Sequence, residues 1–327
     1  MRYLCVLTLA FGLGFPLKTN AQNGVVVGAG YQLPQFAAAP GQVLTIFMQG
    51  ITVPEKSLSA GSGQWPATLG GFSATLIATV AQGSGMLSVP IGSVFPFSNC
   101  GGTTTLGLCP TITGLTIQIP FEMFGATLCS LCFPPPLPAA VLTITDQNGH
   151  IAVADLNPLA DQIHIVRSQD TILGGGGGGD PAVTHANGSA VSADSPAQAG
   201  EVLVMYVVGL GSTSPAVPDG APAPASPLSM AQGHPSVHYD FAANAAPSTD
   251  VGGASTGDIS PLFAGLAPGF VGLYQVNVQV PAVPPGTLPC VVAGSTNMTG
   301  VSSNLTLTLG RLASFDGVGI CVAVNAN

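Results

Sequence analysis

The chain has 327 residues, the length of one or two domains; 46% of them are hydrophobic, and only 6% are charged. This hydrophobic content is sufficient for packed cores, and the low charge excludes a charge-rich disordered chain. The formal net charge of −9 at pH 7 makes nucleic acid a poor partner, so we expect no nucleic-acid binding.

Residues 1–21 have the pattern of a secretory signal peptide. Arg2 supplies a positive charge, residues 3–17 form an apolar run, and small residues precede the expected cleavage after Ala21. The alternative is a membrane anchor, but the run is shorter than the ~20 residues that a membrane span needs. We therefore expect an exported protein, secreted or at the cell surface, with no transmembrane segment in the mature chain.

The first half, residues 23–170, is predicted to be a β domain. Strands are predicted at 25–27, 42–48, 72–80 and 115–119, and a hairpin with Asn148-Gly149 in its turn is predicted at 141–154. The run at 42–48 is almost continuously apolar, which is consistent with burial on both faces of a sheet. Residues 81–110 are rich in glycine and are expected to be irregular.

A run of six glycines at 174–179 marks the expected boundary between two domains. Each glycine loses much backbone entropy on ordering, so we interpret residues 171–180 as a flexible joint. A phosphate-binding loop is the alternative, but the run lacks the Lys-Ser/Thr pair and the helix that such a loop requires.

The second half, residues 181–327, repeats the plan of the first. Its most regular segment is 274–281 (YQVNVQVP), where apolar residues alternate with amides until Pro281 ends the strand. We expect one alternating set to face the core (Tyr274, Val276, Val278 and Val280) and the other to face away from it (Gln275, Asn277 and Gln279). Segment 115–120 is a shorter copy, in which Leu115, Ile117 and Ile119 should face the core of the first half.

Several motifs in residues 180–312 carry a family resemblance: 199–203 (AGEVL), 209–211 (GLG), 217–222 (VPDGAP), 227–229 (PLS), 264–269 (AGLAPG) and 272–281 (GLYQVNVQVP). This region resembles the uncharacterised C-terminal domain family first named from Solibacter, which is common on secreted acidobacterial proteins. Residues 25–165 resemble it more loosely. The resemblance implies immunoglobulin-like sandwiches and no known catalytic residues. We therefore predict an all-β chain of two tandem immunoglobulin-like antiparallel β-sandwiches with long Gly/Pro-rich loops.

Six cysteines follow the expected cleavage site: Cys100, Cys109, Cys129, Cys132, Cys290 and Cys321. An even number of cysteines in an exported protein predicts disulfides. Cys290 and Cys321 are isolated from the others and should pair together. The other four allow three connectivities, of which Cys100–Cys109 with Cys129–Cys132 is the local one. A redox or zinc role for Cys129-x-x-Cys132 is the alternative, but no helix pattern follows it.

No constellation of residues in the sequence predicts catalysis. His234, His238 and Asp240 are the best metal candidates, but a β-like segment would hold the two histidines too far apart, so we expect a polar loop and a strand. No GxSxG nucleophile elbow occurs, and nothing marks two of the three glutamates (Glu55, Glu122 and Glu201) as partners. We expect no catalytic residue, no metal and no cofactor.

Two classes of function are compatible with these features. The first is a secreted, noncatalytic β-sandwich module of the bacterial cell surface or exterior, which binds an unknown extracellular protein or glycan or has a structural role. The second is an exported carbohydrate-active protein, a glycan binder or hydrolase, with a dispersed site. One tryptophan and five tyrosines provide little aromatic surface for stacking on sugars, which favours the first class.

Overall fold

The computed structural model describes residues 24–32, 37–81, 83–98, 110–124, 140–171, 179–241, 259–287, 290, 303–309 and 315–324. Every regular element in these ranges is a strand, so the all-β prediction is confirmed. Nowhere in the described ranges is there a helix with the length and apolar character to cross a membrane.

The first half forms one sheet of eleven strands. These are β1 (Gly24–Ala29), β2 (Ala37–Ala38), β3 (Val43–Gln49), β4 (Leu58–Ser59), β5 (Thr68–Leu69), β6 (Phe72–Val80), β7 (Gly83–Ser88), β8 (Ile91–Ser98), β9 (Thr111–Gln118), β10 (Ala140–Thr145) and β11 (Ile151–Pro158). Their order is β4-β8-β9-β3-β1-β11-β10-β6-β5, with β2 paired to β11 and β7 to β6.

This sheet is curved until it is nearly a barrel, because β5 and β6 at one end contact β8 near the other. Its concave face holds the core, to which β6 and β10 contribute alternate residues such as Phe72, Leu76 and Leu142. Each such side chain contributes about 1.5–3 kcal/mol by leaving water. Strands β1 and β2 run parallel to β11, although we expected antiparallel pairing throughout. Alternation within a strand does not specify the direction of its neighbour.

Strand β3 is buried on both faces, as its continuous apolar sequence predicted. Leu44, Ile46 and Met48 belong to the core of the first half. On the opposite face Phe47 is also fully buried, and its ring centroid lies 4.8 Å from that of Phe97 and 6.2 Å from that of Phe95. Contacts between aromatic rings at such distances add to the stabilisation from burial.

The described residues of the second half form two antiparallel sheets, one of which also includes the strand His164–Ile165, which precedes residue 181. One consists of β12 (His164–Ile165), β13 (Val183–His185), β14 (Val202–Val208), β15 (Thr213–Ser214), β16 (Met230–Ala231), β18 (Phe263–Leu266) and β19 (Tyr274–Gln279), in the order β12-β14-β19-β18-β16-β15 with β13 on β14. The other consists of β17 (Ser236–Asp240), β20 (Ser303–Thr308) and β21 (Phe315–Ile320), in the order β17-β20-β21. Side chains from both sheets, including Met205, Val276, Leu305 and Val318, form one shared core.

The two alternating segments lie in the middle of their sheets, as predicted: β19 between β14 and β18, and β9 between β3 and β8. The expected core set of the second half is at most 1% exposed (Tyr274, Val276, Val278 and Val280), and that of the first half is fully buried (Leu115, Ile117 and Ile119). On the opposite face of β19, Gln279 is exposed and Gln275 and Asn277 are half-buried.

The expectation that residues 81–110 are irregular was wrong for part of this range, because β7 and β8 lie there. Their glycines, serines and Pro96 have low strand propensity. Pairing with β6 and β9 overrides that local preference. Strand β4 pairs with β8 only at Ser93 and Val94, so Pro96 lies where β8 is an edge strand, which is where proline is tolerated.

Strand β12 lies before the expected joint at 171–180, but it pairs with a strand of the second half. His164 and Ile165 lie opposite Val208 and Val207 of β14. The glycines at 174–178 lie outside the described residues, so the joint at 171–180 stays a prediction.

Cys290 and Cys321 form a disulfide with a Cα–Cα distance of 5.5 Å, which confirms this pairing. A cross-link of this loop length stabilises a fold by roughly 3–4 kcal/mol. Cys100, Cys109, Cys129 and Cys132 lie outside the described residues, and their pairing stays a prediction.

Substitutions on the two faces of β19 should have very different effects on stability. Val278→Asp places a carboxylate in the core without a partner and should lower the free energy of unfolding by several kcal/mol. Gln279→Lys changes an exposed side chain and should alter it by no more than about 0.5 kcal/mol. Denaturant titration of both variants measures the difference. Equal losses would show that the alternation does not separate core from surface.

Candidate functional site

The two halves of the chain meet at a junction with close backbone contacts. Gly220 N donates to Gln118 Oε1 over 2.6 Å, and Trp65 N donates to Gly220 O over 2.8 Å. Gly272 has a φ of +61°, and a Cβ there would lie only 2.5 Å from Gly41 O. Only glycine suits this position, so the junction depends on backbone approach between the halves.

A cavity of about 310 Å³ lies at this junction, and we call it the junction cleft. It is lined by Tyr31, Val43, Thr45, Trp65 and Thr116 of the first half, and by His164, Val166, Asp170, Thr171, Val208, Val271 and Leu273. Most of these side chains are aliphatic or aromatic.

Aromatic rings form fixed walls of the junction cleft. The ring of Tyr31 stacks on that of His164 with a centroid distance of 3.8 Å and an interplanar angle of 6°. The Tyr31 hydroxyl donates to Val43 O and accepts from Gln42 Nε2, at 3.1 and 2.8 Å. Burial raises the pKa of this hydroxyl well above its usual value, so it stays protonated.

Trp65 is positioned by close packing against β8. A Cβ on Gly92 would lie 2.6 Å from the indole ring, so the ring rests directly on the glycine backbone. Any larger residue at position 92 would displace the indole from the cleft.

Next to the cleft, His164, Arg167, Asp170 and Asp316 form a group that we call the junction ion cluster. Arg167 binds Asp316 through two hydrogen bonds of 2.9 Å. His164 Nε2 lies 2.8 Å from Asp170 Oδ2, and His164 Nδ1 lies 3.3 Å from Asp316 Oδ2. Asp316 also accepts from Ile165 N over 2.8 Å, so the cluster connects β12 with β21.

Two side chains of this cluster, His164 and Asp316, have shifted pKa values, and both shifts favour the charged form. Burial opposes the charge on His164, but hydrogen bonds to Asp170 and Asp316 outweigh burial and raise its pKa. Burial also acts to raise the pKa of Asp316, yet hydrogen bonds from His164 and Arg167 hold it at about 2. Arg167 Nη1 lies 3.1 Å from His164 Nδ1. In the protonated form of the ring, which the raised pKa favours, Nδ1 has no lone pair for Arg167, and both cations then share Asp316.

A pair of carboxyl groups lies in a second cleft on the junction, with a volume of about 420 Å³. This cleft is lined by Gln64, Trp65, Ala67, Met86, Leu87, Ser88, Pro90, Glu122 and Asp219. Burial and a hydrogen bond with Glu122 raise the pKa of Asp219 to about 7, although Asp219 also accepts from Phe121 N over 2.8 Å. Asp219 therefore keeps its proton below neutral pH, in a hydrogen bond with Glu122.

Ser195, His185 and Glu201 form the contacts of a catalytic triad at the surface of the second half. His185 Nε2 lies 3.1 Å from Ser195 Oγ, and His185 Nδ1 lies 3.1 Å from Glu201 Oε2. The hydrogen bond to Glu201 raises the pKa of His185. Glu201 is in turn oriented by Gln198 N, at 2.6 Å from Oε1.

Two features of this constellation disfavour acyl transfer. The N–H of Ser195 donates to Ser192 Oγ, and the next residue, Pro196, has no N–H. Neither backbone position beside the hydroxyl can therefore stabilise an oxyanion. The backbone O of Ser195 also lies 3.1 Å from His185 Nε2 and competes for the ring nitrogen. The contacts instead fix the loop between β13 and β14.

The structure does not bring the sequence-based metal candidates together. His234 and Asp240 are exposed, whereas His238 is 3% exposed within β17. In the described part of the chain, no group of three His, Cys, Asp or Glu side chains is arranged so that it could hold a metal. Glu55 is exposed in a loop of the first half.

Sequence reasoning missed the partners of two glutamates. Glu122 contacts Asp219, and Glu201 contacts His185, although nothing in the sequence marked either as paired. The second pair is only 16 residues apart, but the spacing matches no known motif. Arg167 was one of three basic residues beyond position 21, and such scarcity is a signal that could have directed attention to it.

Comparison with known proteins leaves the family open. No model of a protein family matches the chain, and no curated protein matches it. The chain is similar to a solved structure, the adhesin InvE of Yersinia pseudotuberculosis, with 9% identity and a TM-score of 0.19. The match covers 92% of this chain and 58% of the adhesin, so the chain spans less than two thirds of that protein. A TM-score this low carries no argument about fold or function.

The carboxyl pair should make stability depend on pH. The raised pKa of Asp219 means that the folded state holds this proton more tightly than the unfolded chain does. The resulting contribution to the free energy of unfolding is fully present below about pH 4 and is lost as pH rises through about 7. Glu122→Gln removes the negative neighbour and should flatten the decline between pH 5 and 8. Urea titration at several pH values across this range measures the free energy of unfolding of each protein. Glu55→Gln is the matched control and should follow the wild type; parallel curves for all three proteins would refute the coupling.

Removing the cation of the junction ion cluster should be costly. Arg167→Met leaves the carboxylate of Asp316, whose side chain is 20% exposed, without its bidentate partner, and should lower the free energy of unfolding by about 3 kcal/mol. Lys56→Met removes an exposed cation and should change it by less than about 0.5 kcal/mol. Denaturant titration at pH 7 compares them, and a loss at Arg167 as small as that at Lys56 would contradict the structural role.

Proposed function

We propose that this chain is an exported, noncatalytic binding module of the bacterial cell surface or exterior, and that its ligand site is the junction cleft. The single observation that carries this proposal is the cleft itself, which is lined by side chains of both halves. Ligand sites are commonly preformed, mostly apolar cavities with few polar groups, and they often lie between domains.

The polar side chains around the cleft support binding and not chemistry. The hydroxyl of Tyr31 is held by two hydrogen bonds, and both ring nitrogens of His164 face carboxylates. A charged His164 that is paired on both sides is a poor general base, because it has no lone pair to accept a proton. The same contacts preorganise the walls, which lowers the entropy that a ligand must lose on binding.

The carboxyl pair of Glu122 and Asp219 is the main feature in favour of the alternative, a carbohydrate-active protein. It lies beside Trp65 in an open cleft, as sugar-binding carboxylates often do. However, the carboxyl groups of glycosidases are about 5–9.5 Å apart so that a sugar or a water fits between them, whereas these two are hydrogen-bonded to each other. This contact favours a role at the junction over glycoside hydrolysis.

We also propose that the second half is an immunoglobulin-like sandwich of the Solibacter-type family. The two sheets of the second half share one core, which supports an immunoglobulin-like sandwich, and the motifs at 264–281 support membership in the Solibacter-type family. The signal-peptide pattern at 1–21 supports export. On this basis the partner is an extracellular molecule, a protein surface or a glycan, of which one group enters the cleft.

Filling the cleft should abolish ligand binding without unfolding the protein. Val166→Phe adds bulk to a half-buried side chain that lines the cleft, whereas Val153→Phe adds the same bulk at a position that is 50% exposed on β11. A thermal-shift screen of glycans and small extracellular metabolites should yield ligands that stabilise the wild type and Val153→Phe but not Val166→Phe. Ligands that stabilise all three proteins equally would exclude the cleft.

A hydrolase panel separates the binding module from the enzyme. The wild type should cleave p-nitrophenyl acetate and aryl glycosides no faster than the Ser195→Ala and Glu122→Gln variants do. A rate that falls at least tenfold on either substitution would overturn the noncatalytic proposal.

A further inference from the structure

The size of the junction cleft limits the ligand group that can enter it. Its volume is about 310 Å³, roughly twice that of a 150 Å³ apolar cavity that binds benzene. A group of about two fused six-membered rings therefore fills it.

The walls of the cleft select an uncharged group. Aliphatic side chains from both halves (Val43, Val166, Val208, Val271 and Leu273) face the aromatic rings of Tyr31 and Trp65. Asp170 is the one carboxylate in the lining, and its Oδ2 already contacts His164 Nε2 and accepts from Arg167 N over 2.7 Å. The other oxygen, Asp170 Oδ1, is buried and has no hydrogen-bond partner of its own among the described residues. An ion would lose its hydration in this mostly apolar lining, and an anion would find no partner there.

The hydroxyl groups on β3, β8 and β9 can serve one polar atom of a ligand. Ser93 Oγ donates to Thr116 Oγ1 over 2.9 Å, and Thr116 Oγ1 lies 3.1 Å from Thr45 Oγ1. These three hydroxyls have three protons and form two hydrogen bonds. The remaining proton lies on Thr45 or Thr116, both of which line the cleft, and the described residues give it no acceptor. One oxygen acceptor on the ligand would satisfy it.

We propose that the junction cleft binds an uncharged, planar two-ring group that carries one oxygen acceptor, such as an aromatic alcohol or ketone. The stacked Tyr31–His164 pair and Trp65 contact the ring faces, and the hydroxyl of Thr45 or Thr116 donates to the oxygen. This ligand class deepens the proposed function and rests on it for the location of the site.

Trp65 is a built-in reporter, because it is the single tryptophan of the chain and lines the cleft. Titration with 2-naphthol at pH 7 should quench its fluorescence with a saturable curve. Val166→Phe should abolish that saturation, and Val153→Phe should keep it. Because Trp65 also lines the second cleft, Glu122→Gln is included and should behave like the wild type. Circular dichroism verifies that each variant is folded.

The double variant Thr45→Val/Thr116→Val tests the hydrogen bond, because it removes both hydroxyls that can carry the remaining proton. It should weaken 2-naphthol about three- to tenfold and leave naphthalene unchanged, because naphthalene has no oxygen. Thr143→Val, at a half-buried position on β10, is the matched control and should change neither affinity. Equal effects of the double variant on both compounds would overturn the assignment of the oxygen acceptor.

Charged and uncharged probes separate this proposal from the one on which it rests. 2-Naphthalenesulfonate should bind at least tenfold more weakly than 2-naphthol, and equal affinity would overturn the uncharged class. If 2-naphthol does not saturate, but a glycan or an ion from the thermal-shift screen depends on Val166, the ligand class is wrong and the binding module stands. If no ligand depends on Val166, both proposals fail.

Discussion

Arg167 and Asp316 form a bidentate ion pair between segments 149 residues apart, and the geometry of the junction depends on this pair. It anchors β12 to β21 and thereby places His164 against Tyr31 of the first half. A buried pair of this kind gains little free energy over apolar packing, but breaking it is expensive. Its main effect is therefore to fix one arrangement of the chain segments at the cleft.

The remainder of the junction is assembled from hydrogen bonds between backbone N–H groups of one half and side chains of the other. Gln118 ends a central strand of the first half, and its fully buried side chain accepts a hydrogen bond from Gly220 of the second. Asp219, next to that glycine, accepts from Phe121 N and meets Glu122. A loop of the second half is thus bound to the end of β9, and the halves are held on both sides of Trp65. The cleft consequently has walls whose positions are set by hydrogen bonds.

Three groups of titratable side chains have different roles. In the junction ion cluster, burial opposes charge, but hydrogen bonds to carboxylates raise the pKa of His164, and hydrogen bonds from His164 and Arg167 lower that of Asp316, so both shifts favour the charged form. The carboxyl pair of Glu122 and Asp219 changes charge near neutral pH. The contacts of Ser195, His185 and Glu201 reproduce the geometry of a triad, but lack backbone donors for an oxyanion. Geometry among three side chains is therefore insufficient to assign catalysis without the surrounding donors.

The sequence by itself determined the strand class, the two central strands with their core faces, and the Cys290–Cys321 pair. Period-two alternation and isolation in the chain are local properties, so they can be recognised without knowing the neighbours. The tertiary structure alone decided that β7 and β8 form, that β1 runs parallel to β11, and that Arg167 meets Asp316 and Glu122 meets Asp219. These features depend on pairings between distant segments, and the free energy of such pairings is set by topology, which no local pattern of residues encodes.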